Sequence, residues 1–273
     1  MSKKIYRHKD EREEAVKLDI AKVEAIAVGA GKILLAKLEE GFSIEKKGAV
    51  DLITDADRLS DEFIVRKLQE HFPDTAILSE EQGLTSSAQR RSLWVVDPLD
   101  GTTNYAHGYP YFSVSIALIR DGELALGVVH NPLSGELFSA VRGQGAYRNG
   151  TKVRVSQTKR VQESLLVTGF AYDVATRPDD NMAQFARATK ASQGVLRLGS
   201  AALDLCNVAC GRLDGYWERG INVWDIAAGA LMVLEAGGRL SLIGGQKFDP
   251  FAREVLATNG LIHGELLELV GDL

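Results

Sequence analysis

Apolar residues recur every three or four positions near both ends of the chain, which is the spacing of one face of a helix. The first such run covers about 13–40 and stops at Gly41, a residue type that commonly follows a helix C-terminus. A second run, over 59–72, stops before Pro73. The same spacing predicts further helices in the C-terminal half, over 180–191, 201–210, 225–235 and 261–270.

Short apolar and β-branched runs in the middle of the chain predict strands. Two of them, 112–120 and 124–130, are separated by Asp121 and Gly122, a dipeptide typical of a hairpin turn. The other predicted strands are 76–79, 93–97, 137–141, 152–155, 165–168 and 240–242. Strands flanked by helices predict an α+β or α/β protein in which helices cover mixed sheets.

The length of 273 residues suits one domain, and 45% hydrophobic residues can form a sizeable core. We expect a single domain over 1–273 in two packed halves, about 1–155 and about 156–273. Acidic residues outnumber basic ones by 37 to 32. The sequence shows no stripe of basic residues, so we expect no direct binding of nucleic acid. A site for an anionic substrate must therefore supply its own local positive charge.

The remaining composition concerns location. Cys206 and Cys210 lie four residues apart in an apolar run, which indicates reduced core thiols rather than a disulfide framework. The first twenty residues are highly charged, and no uncharged apolar run approaches the roughly 20 residues that span a bilayer. We expect a cytoplasmic protein with no membrane partner.

The segment W-V-V-D-P-L-D-G-T-T-N-Y carries the strongest chemical signal. An apolar strand ends at Asp97, and Asp100 follows three residues later. Carboxylates at a strand end suit hard cations such as Mg²⁺, and Pro98 sets the backbone so that the Leu99 carbonyl can join them. Gly101 lets backbone N–H groups approach a phosphate. An acidic turn that caps a helix is the alternative interpretation of the two aspartates alone.

Two further carboxylates fit the same hypothesis. Glu80 follows the predicted strand 76–79, where an ordinary acidic loop is the alternative. Asp225 begins the apolar run W-D-I-A-A-G-A-L-M-V-L-E-A-G-G. An N-cap role is the alternative there, and it is compatible with metal ligation. A buried charge is costly unless it is paired or binds a metal.

These motifs together resemble the signature set of the inositol monophosphatase superfamily. The set comprises E-E-x-G at Glu80, the segment around Asp97, and W-D-I-A-A-G followed by E-A-G-G, and the resemblance runs over about 18–257. It implies a layered α/β/α/β/α sandwich, usually a homodimer. It also implies lithium sensitivity and two to three Mg²⁺ ions.

The resemblance also implies roles for individual residues. The implied metal ligands are Glu80, Asp97, the Leu99 carbonyl, Asp100 and Asp225. The implied catalytic residues, which activate water, are Glu80, Asp57 and Thr102. The implied substrate-binding residues are Lys46, Gly101, Thr102, Thr103, Arg197, Gly199, Ser200, Ala201 and Glu218.

The expected activity is hydrolysis of inositol monophosphate or a similar small polyol or sugar phosphate by metal-activated water. Fructose-1,6-bisphosphatase, histidinol phosphatase and 3′-phosphoadenosine nucleotidase activities remain open within the class. A regulatory protein-binding role in RNA synthesis is the alternative from another class. A haloacid-dehalogenase phosphatase requires D-x-D, in which the two aspartates are two residues apart. Here Asp97 is followed by Pro98, and Asp100 is three residues away, which argues against that class.

Overall fold

The computed structural model describes residues 19–46, 48, 52–85 and 91–271. Its α-helices are α1 (Ile20–Glu40), α2 (Asp55–His71), α3 (Thr102–Ala106), α4 (Met182–Ala191), α5 (Ala201–Ala209), α6 (Val223–Glu235) and α7 (His263–Val270). Within those residues, no helix combines the length and the apolar character that crossing a bilayer requires.

The strands fall into three sheets. Their bounds are β1 (Ile44–Lys46), β2 (Leu52–Thr54), β3 (Ala76–Ser79), β4 (Gly83–Leu84), β5 (Ser92–Asp100), β6 (Ser113–Arg120), β7 (Glu123–Asn131), β8 (Glu136–Val141), β9 (Gly145–Arg148), β10 (Thr151–Lys152), β11 (Leu165–Thr168), β12 (Gly194–Leu196), β13 (Gly215–Arg219), β14 (Arg239–Ser241) and β15 (Glu254–Thr258). The large sheet has the order β10-β9-β8-β7-β6-β5-β3-β4, the smaller one β12-β11-β13-β15-β14, and β1 pairs with β2 alone. Both larger sheets mix parallel and antiparallel pairs.

The hydrophobic cores define five layers. Helices α1 and α2 cover one face of the large sheet, where Trp94 and Ile116 pack against Leu34 and Ile64. Helices α5 and α6 fill the space between the two sheets. Helices α4 and α7 cover the outer face of the smaller sheet around Trp217. This order of layers confirms the expected α/β/α/β/α sandwich.

Several predicted boundaries were wrong. The strand predicted over 93–97 continues to Asp100, because an irregularity after Asp97 lets Asp100 pair with Ser113 despite Pro98. The strand predicted over 152–155 is reduced to β10 and so ends at Lys152. Helix α6 begins at Val223, which places Asp225 inside its first turn. The part of the first predicted helix before residue 19 lies outside the described residues.

The sequence patterns also missed β13 and β15, which form the centre of the smaller sheet with β11. The short strands β1, β2, β4, β9 and β12 were not predicted either. Each becomes a strand only by pairing with a neighbour, because two to five residues carry too little periodicity to identify an element.

Candidate functional site

Three carboxylates from different elements converge at the end of the large sheet. Strands β3 and β5 are parallel, with Ser79 opposite Val96, so Glu80 emerges beside Asp97. Side chains alternate between faces along a strand, and both carboxylates continue the face that packs towards α5 and α6. The ligand oxygens of Glu80, Asp97 and Asp225 all lie within 4.8 Å of one another.

Asp225 serves its helix and the cluster together. It is the third residue of α6, and the backbone N–H of Asn222 donates to its Oδ2 at 2.8 Å in a capping box. The N-cap interpretation of Asp225 was therefore wrong, since Asn222 is the N-cap, and the capping-box hydrogen bond of Asp225 is compatible with metal ligation.

Burial and mutual repulsion disfavour the charged forms of these groups. Burial raises the pKa of Asp97 well above its ordinary value, and the charges of Glu80, Asp100 and Asp225 add to the shift. Burial likewise raises the pKa of Asp225, with further contributions from Glu80 and Asp100. A divalent cation would relieve this repulsion, and an all-oxygen donor set fits Mg²⁺.

Asp100 is held by the N-terminus of α5. Its carboxylate accepts hydrogen bonds from Ser200 Oγ at 2.5 Å, the backbone N of Ala202 at 2.9 Å, the backbone N of Ala201 at 3.2 Å and Ser113 Oγ at 3.3 Å. Burial raises the pKa of Asp100 to about 6, and these hydrogen bonds oppose the rise. Ser200 and Ala201, which were expected as substrate-binding residues, thus orient the carboxylate of Asp100.

Asp57 and Thr102 form the expected pair. Thr102 Oγ1 lies 3.1 Å from Asp57 Oδ1 and 3.1 Å from the Leu99 carbonyl oxygen. The other oxygen of Asp57 accepts a hydrogen bond from the backbone N of Thr54 at 2.8 Å. Burial raises the pKa of Asp57 to about 6, against the hydrogen bonds from Thr54. The arrangement can hold a proton between a hydroxyl and a carboxylate beside the Leu99 carbonyl.

The turn after β5 requires glycine. Gly101 has φ 99°, and a Cβ there would lie 3.1 Å from the carbonyl oxygens of both Gly199 and Tyr111. Asn104 Nδ2 holds the same region by donating to Tyr111 O at 2.7 Å and Leu198 O at 2.8 Å. Asn104 stands inside the quoted motif, but its role was not predicted.

An open cleft lies beside these groups. Of the predicted site residues it is lined by Asp100, Gly101, Thr103, Arg197, Gly199, Ser200, Ala201, Glu218 and Asp225. Sequence reasoning missed the other lining residues, which are Gly169, Phe170, Ala171, Tyr172, Asp204, Gly220, Ile221 and Asn222. Lys46 lies exposed on β1, outside this lining.

Two acidic side chains, Glu218 and Asp204, form part of the cleft wall. Tyr216 Oη donates to Glu218 Oε2 at 2.5 Å, and Tyr111 Oη donates to Asp204 Oδ1 at 2.8 Å. Burial raises the pKa of Glu218 to about 7, and the positive charge of Arg197 opposes the rise. Asp204 could have been found by the signal that marked Asp225, an acidic residue within an apolar helix.

Comparison with known proteins agrees with this geometry. A sequence model described as "Inositol monophosphatase family" matches residues 14–273. An "Inositol-1-monophosphatase" of Synechocystis sp. is 47% identical over 251 residues, which cover 91% of this chain and 86% of that protein. A "Nus factor SuhB" of Xylella fastidiosa is 43% identical over 214 residues, which cover 78% of this chain and 77% of that protein.

A solved structure of an inositol monophosphatase from Anabaena (Nostoc) sp. superposes with a TM-score of 0.84. It is 43% identical in sequence, and the match covers 91% of this chain and 93% of that one. The resemblance of the three motifs is thereby confirmed over nearly the whole length. The chain belongs to the inositol monophosphatase family.

Proposed function

We propose that this protein is a Mg²⁺-dependent phosphomonoesterase acting on inositol monophosphate or a similar small polyol or sugar phosphate. The observation that carries the proposal is the convergence of Glu80, Asp97 and Asp225 within 4.8 Å. This cluster lies beside a cleft that also contains Gly101 and Glu218. Membership of a family of phosphoric monoester hydrolases supports the same conclusion.

The proposed metal ligands are Glu80, Asp97, Asp100, Asp225 and the Leu99 carbonyl, which together would hold two to three Mg²⁺ ions. When bound, such ions lower the pKa of water and stabilise negative charge on phosphate and leaving-group oxygens. Asp57 and Thr102 would take up and orient the proton of the attacking water, because Thr102 Oγ1 contacts Asp57 Oδ1. No covalent intermediate with the protein is required.

The substrate is proposed to lie with its phosphate against the backbone of Gly101, Thr102 and Thr103. The alcohol part would then extend between two walls of the cleft. One wall would be formed by Arg197, Gly199, Ser200 and Ala201, and the other by Glu218. Lys46 would bind the substrate from β1. The partner of β1 is β2, which leads directly into α2, the helix that carries Asp57.

A phosphate-release assay with Mg²⁺ tests the proposal and the substrate. The panel contains inositol 1-phosphate, fructose 1,6-bisphosphate, histidinol phosphate and 3′-phosphoadenosine 5′-phosphate. We expect the highest kcat/KM with inositol 1-phosphate. A preference for another member would move the protein to that activity within the class, and no release from any ester would refute the proposal.

We further propose that Li⁺ inhibits the enzyme, since an ion of similar size can occupy a site that Mg²⁺ must enter or leave during turnover. Phosphate release should fall with LiCl but not with KCl at the same concentration. Equal effects of the two salts would indicate ionic strength instead.

The similarity to a protein named Nus factor SuhB favours a second candidate, a regulatory role in RNA synthesis. Such a role would not depend on the metal site. Co-purification with RNA polymerase should then be the same for the wild type and for Asp100→Asn. Absence of co-purification from both would exclude this role.

A homodimer in the cytoplasm is also proposed, on the basis of family membership. Light scattering coupled to gel filtration should give about twice the 29.7 kDa mass of the chain. A mass of one chain at micromolar concentration would contradict the dimer.

A further inference from the structure

The buried end of α2 carries polar residues where an amphipathic helix normally presents apolar ones. Asp57, Ser60 and Asp61 are at most 1% exposed, and the apolar stripe resumes with Ile64 and Leu68. Each of the three hydrogen-bonds to a residue that lies within two positions of a proposed metal ligand. Asp57 contacts Thr102, as described above. The other two have no role so far.

Ser60 and Asp61 hold the ends of the two strands that carry metal ligands. Ser60 Oγ donates to the Pro98 carbonyl oxygen at 2.8 Å, between Asp97 and Leu99. Asp61 Oδ1 accepts a short hydrogen bond from Ser79 Oγ, and Ser79 is the last residue of β3. One face of α2 therefore contacts both strand ends.

Ser79 connects Asp61 to the backbone on both sides of Glu80. Its side chain is fully buried, and its Oγ also accepts a hydrogen bond from the backbone N of Glu81 at 3.2 Å. The backbone N of Glu80 donates to the Val96 carbonyl oxygen at 3.1 Å. The turn that presents Glu80 is thus fixed by Ser79 on one side and by β5 on the other.

The alternation of side chains places Asp61 and the cluster on opposite faces of the sheet. Ile77, two residues before Ser79, belongs to the core shared with α1 and α2. Leu78, two residues before Glu80, packs towards α5 and α6. Ser79 therefore faces α2 while Glu80 faces Asp225. Asp61 therefore does not contact a metal at Glu80, and the backbone that it holds connects the two residues.

Asp61 is unfavourable as a purely structural residue. Its Oδ2 is buried and has no partner of normal hydrogen-bond geometry in the part of the chain that the structure describes, although the Gln82 side chain lies near the carboxylate. Burial raises the pKa of Asp61. A serine or an apolar residue would avoid this cost, so a role in positioning explains why a carboxylate stands there.

We propose that Asp61 is a positioning residue for the metal site, acting through the Ser79 hydroxyl to fix the turn that presents Glu80. The proposal rests on the proposed function in one respect, namely that Glu80 binds a divalent cation. Groups that orient a metal ligand without touching the metal typically change metal affinity by about 10–100-fold when they are removed. The expected effect is thus on metal binding rather than on the fold.

The test measures Mn²⁺ binding from the electron paramagnetic resonance signal of the free ion, which needs no turnover. Ser79→Ala removes the hydroxyl at minimal change of volume, and Asp61→Leu removes the acceptor. Each should weaken Mn²⁺ binding by about tenfold. Asp61→Asn keeps an acceptor for Ser79 and should bind Mn²⁺ within about twofold of the wild type. Glu62→Gln, the exposed neighbour on the same helix, is the charge-matched control and should not change.

The double variant Asp61→Leu/Ser79→Ala should lose no more affinity than the larger single loss, because both changes break the same hydrogen bond. Unchanged affinity in a folded Ser79→Ala protein would overturn the proposal. So would additive losses, or equal losses in Asp61→Asn and Asp61→Leu, which would indicate a direct effect of charge. If the wild type itself does not bind Mn²⁺, the proposed function fails instead.

Discussion

Several residues of this site destabilise the folded protein when no cation is bound. Asp97 is buried and Asp225 is half-buried, and both lie near Glu80, so the neighbouring charges raise the pKa of each. Without a cation, this repulsion lowers the free energy of unfolding. The same carboxylates become favourable when a divalent ion stands between them.

Asp97→Asn and Asp225→Asn should therefore each lower activity and, in EDTA, raise stability. Removing one charged ligand should lower kcat by about 10³-fold, or roughly 4 kcal/mol at the transition state. In EDTA the same variants should melt at a higher temperature than the wild type, because a buried repulsive charge is gone. Asp74→Asn, on the surface, is the matched control for both measurements. Unaltered kcat in either variant would remove that residue from the metal site.

We expect Glu218 to contribute to substrate recognition and not to the chemical step. Its carboxylate lies in the cleft wall, held by Tyr216 and opposite Arg197. Glu218→Gln should raise the KM for inositol 1-phosphate by about tenfold, the loss of a hydrogen bond to a charged group. Hydrolysis of p-nitrophenyl phosphate, which has no such hydroxyls, should be unaffected. An equal loss on both substrates would place Glu218 in the metal site or in the fold.

At the scale of elements, the close packing of α5 against α6 sets the positions of Asp100 and Asp225 relative to each other. Helix α5 holds Asp100 through its N-terminus, and α6 carries Asp225. The two helices meet at Gly229, where a Cβ would lie 2.5 Å from Leu205 Cβ and 3.2 Å from the Ala202 carbonyl oxygen. Any side chain at Gly229 must move one helix, and with it one of the two carboxylates.

Gly229→Ala should lower the free energy of unfolding by about 1–3 kcal/mol, the usual cost of overpacking, despite the higher helix propensity of alanine. It should also weaken Mg²⁺ activation, since Asp100 and Asp225 no longer keep their spacing. Gly264→Ala is the control, because that helical position opens to space and alanine there should add about 0.5–1 kcal/mol. Urea unfolding of both variants measures the difference. Equal stabilisation of the two would mean that α5 and α6 can separate freely.

The elements that the sequence predicts well are those with sustained periodicity. Helices α2, α5 and α6 and strands β3, β6, β7 and β11 were predicted within a few residues. Strand β13 was not, because G-Y-W-E-R is buried on both faces and shows no alternation. Strand β5 was ended too early, because Pro98 normally stops a strand and only the irregularity after Asp97 continues it.

The carboxylates of the candidate site were predicted because they lie within short motifs. Asp61, Ser60 and Asn104 were not, because their partners are distant along the chain. Ser60 contacts Pro98, 38 residues away, and Asn104 contacts Leu198, 94 residues away. Such contacts follow from the packing of whole elements and leave no local pattern in the sequence. The assignment of individual site residues stays a prediction.

At the scale of the whole molecule, the raised pKa values predict an unusual dependence of stability on pH. The folded chain holds Asp97 and Asp225 with pKa values well above the ordinary 3.8, and Glu218 with a pKa of about 7. The folded state therefore binds more protons than the unfolded state near neutral pH. Stability that is present at lower pH is then lost as the pH rises through these values.

The melting temperature in EDTA should fall as the pH rises above about 6.5 and through the pKa of about 7 at Glu218. The increase in melting temperature caused by Mg²⁺ should grow over the same range, because protons compete with the metal for these carboxylates. His130 and His263 have lowered pKa values and the opposite sign, but their contribution falls mainly below their ordinary pKa of 6.5. A melting temperature in EDTA that rises with pH would contradict the account of the buried carboxylates.

The whole molecule brings the two sheets together around one cleft, with the carboxylates of the proposed metal site from the large sheet and α6, and with Glu218 from β13. The most direct test is phosphate release from inositol 1-phosphate while Mg²⁺ is titrated into protein stripped with EDTA. The account predicts no release before Mg²⁺ is added, saturable activation by Mg²⁺, and a rate lower by about 10³-fold at saturation in Asp225→Asn. Full activity of the wild type in EDTA would contradict it.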